Sequence, residues 1–261
     1  MAGIDVPARP APFPFDPSTT AVVVVDMQND FASPGGMFDR AGLPIAGIQA
    51  IVPNVRAVLH AARRRGIFIA YLKMAFQPDL ADSGYPTSPT WLRHAPFRVG
   101  DEVTAPNGEP SRILIRDTWN TEIIDELAPE PGDAVMYKSR FSGFHGTELH
   151  EILQARRIQR LIVVGATTSV CVDSTVRDAM FLDYHCLVVS DATAEPIAQN
   201  APRSNHEASL LTLELLFAHV ATTDDVITAL GATEVDLHPE PIRQWNPPTA
   251  GHAPVSAAGS G

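Results

Sequence analysis

The chain has 261 residues, 45% of them hydrophobic, which is enough apolar material for one α/β domain with a single large core. Its formal net charge of −11 argues against a nucleic-acid partner, because a nucleic-acid backbone is itself polyanionic. Only two cysteines occur, Cys171 and Cys186, which excludes a disulfide scaffold and predicts a reducing, cytoplasmic location.

The chain also lacks membrane signals. No apolar run approaches the ~18–20 residues that a membrane helix needs, and no basic segment followed by an apolar one opens the sequence, so we expect no membrane partner. Both ends are rich in proline. Residues 1–19 predict an extended arm, residues 20–231 the folded domain, and residues 232–261 a tail that is partly disordered.

Strands and helices alternate between these ends. In chain order, apolar runs predict strands over 21–25, 67–72, 134–137, 161–164, 186–189 and 220–221. Helical spacing predicts helices over 48–65, 122–127, 147–156, 172–183, 205–217 and 224–230. The fold class that follows is α/β: a three-layer sandwich with a mostly parallel six-stranded sheet and helices on both faces. The long, proline-rich stretch 77–111 is interpreted as a lid or substrate-binding insertion.

Three ionisable residues stand at the ends of three of these apolar runs. Asp26 and Lys138 close the first and third strands, and Cys171 follows the fourth strand near a predicted helix start. Right-handed crossovers place the carboxyl ends of parallel strands at one edge of the sheet, so the three side chains should meet. Taken singly, each residue has a purely structural explanation, as a small buried side chain, a helix cap or a solvated lysine. Their coincidence favours a nucleophilic enzyme.

The charges suggest how the three residues would divide the chemistry. Cys171 would attack a carbonyl carbon, and Asp26 would take the thiol proton and later give it to the leaving nitrogen. Lys138 would keep Asp26 ionised, and together with the helix N-terminus it would lower the pKa of the thiol. The backbone N–H groups of Thr167 and Cys171 are candidates for an oxyanion hole.

Three ordered segments carry a resemblance to a known superfamily: residues 21–31, 138–144 and 165–172. They resemble the isochorismatase-like cysteine hydrolases, and the likeness spans roughly residues 18–230. It implies that Asp26, Lys138 and Cys171 form the catalytic triad, and that the peptide bond between Ala166 and Thr167 is cis. It also implies a homo-oligomer, either a dimer or a tetramer.

Within that superfamily, the chain looks most similar to the amidohydrolases of ureido and carbamoyl compounds, which act on ureidoacrylate, N-carbamoylsarcosine or biuret. The resemblance implies a small amide or ureido substrate and a thioester intermediate. The positions that should bind substrate are more apolar than in the ureidoacrylate group; they are Phe31, Phe38, Met74, Phe76 and Phe141. Open alternatives are another carboxamide or a lactam such as a streptothricin-type antibiotic, isochorismatase-type vinyl ether hydrolysis, and a non-catalytic binding module.

No cofactor or metal is expected. Metal-binding members of the superfamily use an Asp-x-His pattern after the second strand, whereas here residues 76–83 contain Asp79 and Asp82 but no histidine. The next histidine is His94, which receives no role from the sequence. No glycine-rich phosphate loop is present either.

Overall fold

A computed structural model of the protein describes residues 4–198 and 204–231. Within these residues the strands are β1 (Ile4–Val6), β2 (Phe13–Phe15), β3 (Thr20–Val25), β4 (Phe68–Met74), β5 (Glu102–Thr104), β6 (Pro110–Arg112), β7 (Ala134–Lys138), β8 (Arg160–Ala166), β9 (His185–Ala194) and β10 (His219–Ala221). The α-helices are α1 (Asn29–Ala32), α2 (Met37–Arg40), α3 (Ala46–Arg64), α4 (Pro89–His94), α5 (Leu149–Ala155), α6 (Asp173–Phe181), α7 (Asn205–Leu216) and α8 (Thr223–Ala229).

Six strands form the central sheet in the order β10-β9-β8-β3-β4-β7, and every neighbouring pair is parallel. The whole of β3 is buried, as expected for a strand that is covered on both faces. Its side chains alternate: Val22 and Val24 pack into the core with α3, whereas Ala21, Val23 and Val25 pack into a second core with α5 and α6. The predicted three-layer α/β fold is therefore confirmed.

The N-terminal arm is folded and does not simply extend. Strands β1 and β2 pair as an antiparallel hairpin, and Val6, Phe13 and Phe15 are buried. Arg9 exchanges two backbone hydrogen bonds of 2.9 Å with Val220 in β10, so the arm covers that edge of the main sheet. The predicted tail, residues 232–261, lies outside the described residues.

Two further predictions need correction. Residues 122–127 do not form a helix; only Asp125–Leu127 make a single 3-10 turn. The preceding backbone is extended because it pairs with the chain after β3, through Asn29 N–H to the carbonyl of Glu122 (2.9 Å) and Ile124 N–H to the carbonyl of Met27 (3.1 Å). The insertion 77–111 is also more regular than expected, since it contains α4 and the antiparallel pair β5 and β6.

The helices in the described ranges include none that is both long enough and apolar enough to span a membrane.

Candidate active site

The carboxyl ends of β3 and β7 bring a carboxylate and an ammonium group together. Asp26 follows β3 in a left-handed conformation (φ 52°), and its backbone N–H donates to the carbonyl of Leu72 in β4. Lys138 ends β7, and its Nζ lies 2.8 Å from Oδ2 of Asp26. Both side chains are at most 1% exposed. The sequence placed these residues at one sheet edge, and the structure brings them into direct contact.

Cys171 reaches the same place from β8. It lies in a π-helical turn, Thr168–Val172, that leads directly into α6 at Asp173, so Cys171 is near a helix start as expected. The carbonyl of Cys171 accepts a hydrogen bond of 2.6 Å from Thr175 Oγ1. That hydroxyl in turn accepts from the backbone N–H of Gly143 at 2.9 Å, which ties the turn to the loop after Lys138.

A carboxylate from the end of β9 holds the other side of the turn. Glu195 accepts hydrogen bonds from the backbone N–H and the hydroxyl of Ser169, and its second oxygen accepts from the N–H of Ile197 at 2.8 Å. Thr168 Oγ1 lies 2.9 Å from Nδ1 of His206. These contacts could not be predicted from the sequence, because the residues involved are far apart along the chain.

Gly165 allows β8 to approach β3 closely enough for this geometry. A Cβ atom at Gly165 would lie 2.1 Å from the carbonyl oxygen of Val25, and its φ of 115° is one that favours glycine. The peptide bond between Ala166 and Thr167 is cis, as the resemblance implied. Thr167 and Cys171, the two candidates for the oxyanion hole, both line the cavity described next.

An apolar cavity of about 380 Å³ opens over the sulfur. Four of the five predicted substrate-binding residues line it: Phe31, Phe38, Met74 and Phe141. Phe76 does not, because it is fully buried behind His94 with the two ring centroids 5.2 Å apart. Arg93 also lines the cavity, and the further lining residues that the sequence analysis did not assign are Met37, His94, Phe97, Leu114, Val170 and Ile197.

The buried carboxylate of Asp30 organises one wall of the cavity. It accepts hydrogen bonds from the backbone N–H groups of Met37 (2.9 Å) and Leu114 (2.8 Å) and from the side-chain amide of Asn120. Burial raises the pKa of Asp30 to about 7, and its three hydrogen bonds oppose that rise. Asp30 therefore fixes two cavity-lining segments that are distant in sequence.

The carboxylates of Asp79 and Asp82, which follow the second predicted strand, have partners other than a metal. Asp82 accepts from Arg116 at 2.7 Å and from the N–H of Gln77, and Asp79 accepts from the N–H of Ala81. Across residues 4–198 and 204–231, no three His, Cys, Asp or Glu side chains lie close enough together to hold a metal ion.

Comparison with known proteins shows the family of this chain. A family model described as Isochorismatase domain matches residues 20–225. The chain belongs to the isochorismatase family. This confirms the resemblance to the isochorismatase-like superfamily, and the solved structures described next confirm the fold.

The relatives of this isochorismatase-family chain include named amidohydrolases. It is 40% identical to ureidoacrylate amidohydrolase RutB of Caulobacter segnis over 220 residues, which covers 84% of this chain and 89% of that protein. Among solved structures, a cysteine hydrolase from Pseudomonas syringae has a TM-score of 0.71 at 29% identity, covering 88% and 99% of the two chains. N-carbamoylsarcosine amidase from Thermoplasma acidophilum has a TM-score of 0.57 at 27% identity, covering 79% and 97%.

Burial dominates the electrostatics of the three ionisable groups. It raises the pKa of the Cys171 thiol to about 12; Lys138 opposes this rise, and Asp26 adds to it. Burial likewise raises the pKa of Asp26, against the attraction of Lys138. Burial lowers the pKa of Lys138, but Asp26 and Cys171 outweigh that effect and the net shift is upward. Lys138 thus lowers the pKa of the thiol as expected, but burial outweighs it, and we expect the resting thiol to be protonated.

Removing the positive partner should destabilise the protein. In Lys138→Met the carboxylate of Asp26 stays buried without its counter-charge, so we expect the free energy of unfolding to fall by about 3–5 kcal/mol at pH 8. Losing Lys138 raises the folded-state pKa of Asp26 still further above its unfolded value. The missing stability should therefore return as the pH falls toward ~4, where Asp26 is protonated in both states.

The matched control is the double variant Asp26→Asn with Lys138→Met, which removes both charges. Urea unfolding between pH 5 and pH 8 should show that it recovers much of the lost stability and no longer shows this pH dependence. Equal stability of the single and double variants at pH 8 would contradict a buried ion pair.

The raised thiol pKa predicts slow alkylation of the free enzyme. Between pH 7 and pH 9.5, the rate of iodoacetamide labelling at Cys171 should keep rising about tenfold per pH unit, because only the thiolate reacts. For an ordinary thiol, the labelling rate becomes constant above the thiol pKa of ~8.5. The Cys171→Ala variant measures the background from Cys186, which is 1% exposed. A labelling rate that is already constant at pH 7 would show that the resting group is a thiolate.

Proposed function

We propose that this protein is a cysteine-dependent amidohydrolase that cleaves a C–N bond of a small amide, ureido or carbamoyl compound. The observation that carries the proposal is the buried pair of Asp26 and Lys138, with Nζ and Oδ2 2.8 Å apart, at the cavity that also exposes Cys171. The names of the relatives, ureidoacrylate amidohydrolase and N-carbamoylsarcosine amidase, support a C–N bond as the one that breaks.

The first half-reaction forms a thioester. As the substrate carbonyl approaches, Cys171 Sγ transfers its proton to Asp26 and attacks the carbonyl carbon. The negative charge moves to the carbonyl oxygen, where the backbone N–H groups of Thr167 and Cys171 stabilise it. The C–N bond then breaks, and the nitrogen leaves with the proton that Asp26 had taken.

The second half-reaction regenerates the thiol. Asp26 removes a proton from water, the water oxygen attacks the thioester carbon, and the sulfur leaves and takes the proton back. Throughout, Lys138 keeps a positive charge beside Asp26, which balances the carboxylate each time it loses its proton. The raised pKa that burial gives Asp26 makes it a better proton acceptor than a solvated carboxylate.

Turnover should depend on the sulfur and on the carboxylate in different ways. Cys171→Ala should abolish hydrolysis of a panel of ureidoacrylate, N-carbamoylsarcosine, biuret, a simple carboxamide and a lactam, measured as ammonia release for the first four and as ring opening for the lactam. Asp26→Asn keeps the sulfur but removes the base, and we expect kcat to fall by about 10²–10⁴-fold. Both variants should keep the far-ultraviolet circular dichroism of the wild type.

Mass spectrometry distinguishes this mechanism from its rivals. Wild-type protein quenched in acid during turnover should carry an acyl group on the peptide that contains Cys171. Turnover that persists in Cys171→Ala would point to vinyl-ether-type hydrolysis without a nucleophile, and a protein that neither acylates nor hydrolyses any panel member would be a binding module.

We further propose that copies of this chain associate through the outer face of α6 and α7. Large apolar side chains are exposed there, with Phe181, Leu215 and Leu216 each 66–67% exposed and Leu211 56% exposed. Leu211 and Leu215 lie one helical turn apart, which makes a continuous apolar stripe. A contiguous apolar surface of this kind is typical of an interface between subunits.

A charge on this stripe should dissociate the oligomer. We expect sedimentation velocity at micromolar concentration to give a dimer or tetramer for the wild type and a monomer for Leu215→Glu. The control is Val135→Glu, at a residue that is also exposed (47%) but lies on β7 at the far edge of the sheet, and it should sediment like the wild type. A monomeric wild type would contradict the proposal.

A cytoplasmic location is proposed from the cysteines. Cys171 and Cys186 are both free and both buried. Free thiols persist in a reducing compartment, and the proposed chemistry needs one of them reduced.

A further inference from the structure

His94 is a polar residue in the cavity wall, and one of its two ring nitrogens has no hydrogen-bond partner among the described residues. It is the last residue of α4 and only 6% exposed, and it lines the cavity over the sulfur. Its Nδ1 lies 2.8 Å from the backbone carbonyl oxygen of Thr90, one turn earlier. Because a carbonyl oxygen only accepts hydrogen bonds, Nδ1 must carry the hydrogen in this contact.

The charge state of the ring follows from its surroundings. Burial lowers the pKa of His94, the positive charges of Lys138 and Arg140 lower it further, and the hydrogen bond to Thr90 opposes them. The imidazole is therefore neutral near pH 7. With the hydrogen on Nδ1, the other nitrogen, Nε2, holds a free lone pair and acts only as an acceptor.

Aromatic packing fixes the direction of that lone pair. The His94 ring meets the edge of Phe76 with centroids 5.2 Å apart, and it packs against Phe141 with centroids 5.4 Å apart. Nδ1 is anchored to the backbone of the ring's own helix, so Nε2 lies on the side away from Thr90. Among the described residues, no donor to Nε2 is within hydrogen-bond distance.

An amide substrate brings N–H groups into this cavity, and the cavity offers few acceptors. Its walls are mostly Phe, Met, Leu and Val side chains. The carboxylate of Asp26 pairs with Lys138 through Oδ2 and, in the proposed mechanism, takes the thiol proton. Arg93 at the rim is a donor only. An N–H left without an acceptor in such a site weakens the binding of the substrate.

We propose that Nε2 of His94 accepts a hydrogen bond from an N–H of the substrate's amide or ureido group, and so selects substrates that retain that hydrogen. The inference rests on the proposed amidohydrolase function. It makes His94 a substrate-binding residue and gives the insertion 77–111 a part in recognition through α4. Phe76, which the sequence placed in the pocket, acts by holding the His94 ring.

The first test reads the tautomer directly and needs no turnover. Long-range ¹H–¹⁵N spectra of histidine-labelled protein, with His94→Phe to assign the signal, should show the neutral ring with its hydrogen on Nδ1 at pH 7.5. A hydrogen on Nε2, or a protonated ring, would overturn the proposal, because no acceptor would then face the substrate.

The second test uses the panel substrate that the wild type turns over fastest, together with analogues in which a methyl group replaces each N–H in turn. His94→Phe should lower kcat/KM about 10- to 100-fold for the parent compound. It should have little effect on the analogue that lacks the recognised hydrogen, and His94→Gln, whose amide oxygen can accept, should recover part of the loss.

Phe97→Leu is the matched control, since it alters the same cavity without removing an acceptor. It should change kcat/KM for the parent and the methylated compounds by similar factors. If His94→Phe behaves in that way too, His94 only shapes the cavity and the inference fails. A wild type that turns over no panel member would instead count against the proposed function, whatever the tautomer.

Discussion

The buried pair of Asp26 and Lys138 is the constraint on which the rest of this structure depends. The two residues sit on strands that are not neighbours, because β4 lies between β3 and β7, about 10 Å across at ~4.8 Å per strand. Lysine is long enough to span this gap, and its Nζ passes 3.7 Å from the sulfur of Met74 on the way. An ion pair that is buried this completely destabilises the fold unless its geometry is held closely, because both charges lose their hydration. The register of the sheet holds that geometry.

Burial away from solvent also determines the protonation state of the Cys171 sulfur. A thiol with a pKa of about 12 does not ionise in the resting protein, so the nucleophile forms only when a base takes its proton. The same burial raises the pKa of Asp26, which strengthens it as that base. Protection of the thiol and activation of the carboxylate thus have a single physical cause, and the low-dielectric cavity above them strengthens both effects.

In the proposed function, nucleophilic attack and substrate recognition belong to different parts of the chain. The strands of the parallel sheet hold the ionisable groups rigidly, whereas cavity walls come from α1, α2 and the insertion that contains α4. Loops and short helices on a rigid scaffold are where related enzymes can differ without disturbing the sheet. In this chain the insertion places the His94 ring between the rings of Phe76 and Phe141. In the proposed role, this single acceptor in an otherwise apolar wall would select substrates that carry an N–H.

The sequence alone determined the parallel sheet, the positions of Asp26, Lys138 and Cys171 at its edge, and the family. Strands that are buried on both faces read as continuous Val- and Ile-rich runs, and each polar residue that ends such a run is conspicuous. Only the tertiary structure decided the features that depend on partners far along the chain. These are the extended backbone at 122–124, the hydrogen bonds from Ser169 to Glu195, the burial of Phe76 and the acceptor nitrogen of His94. A local pattern records which face of an element is apolar, but the protonation and hydrogen bonding of a side chain are set by neighbours that only the folded chain brings within reach.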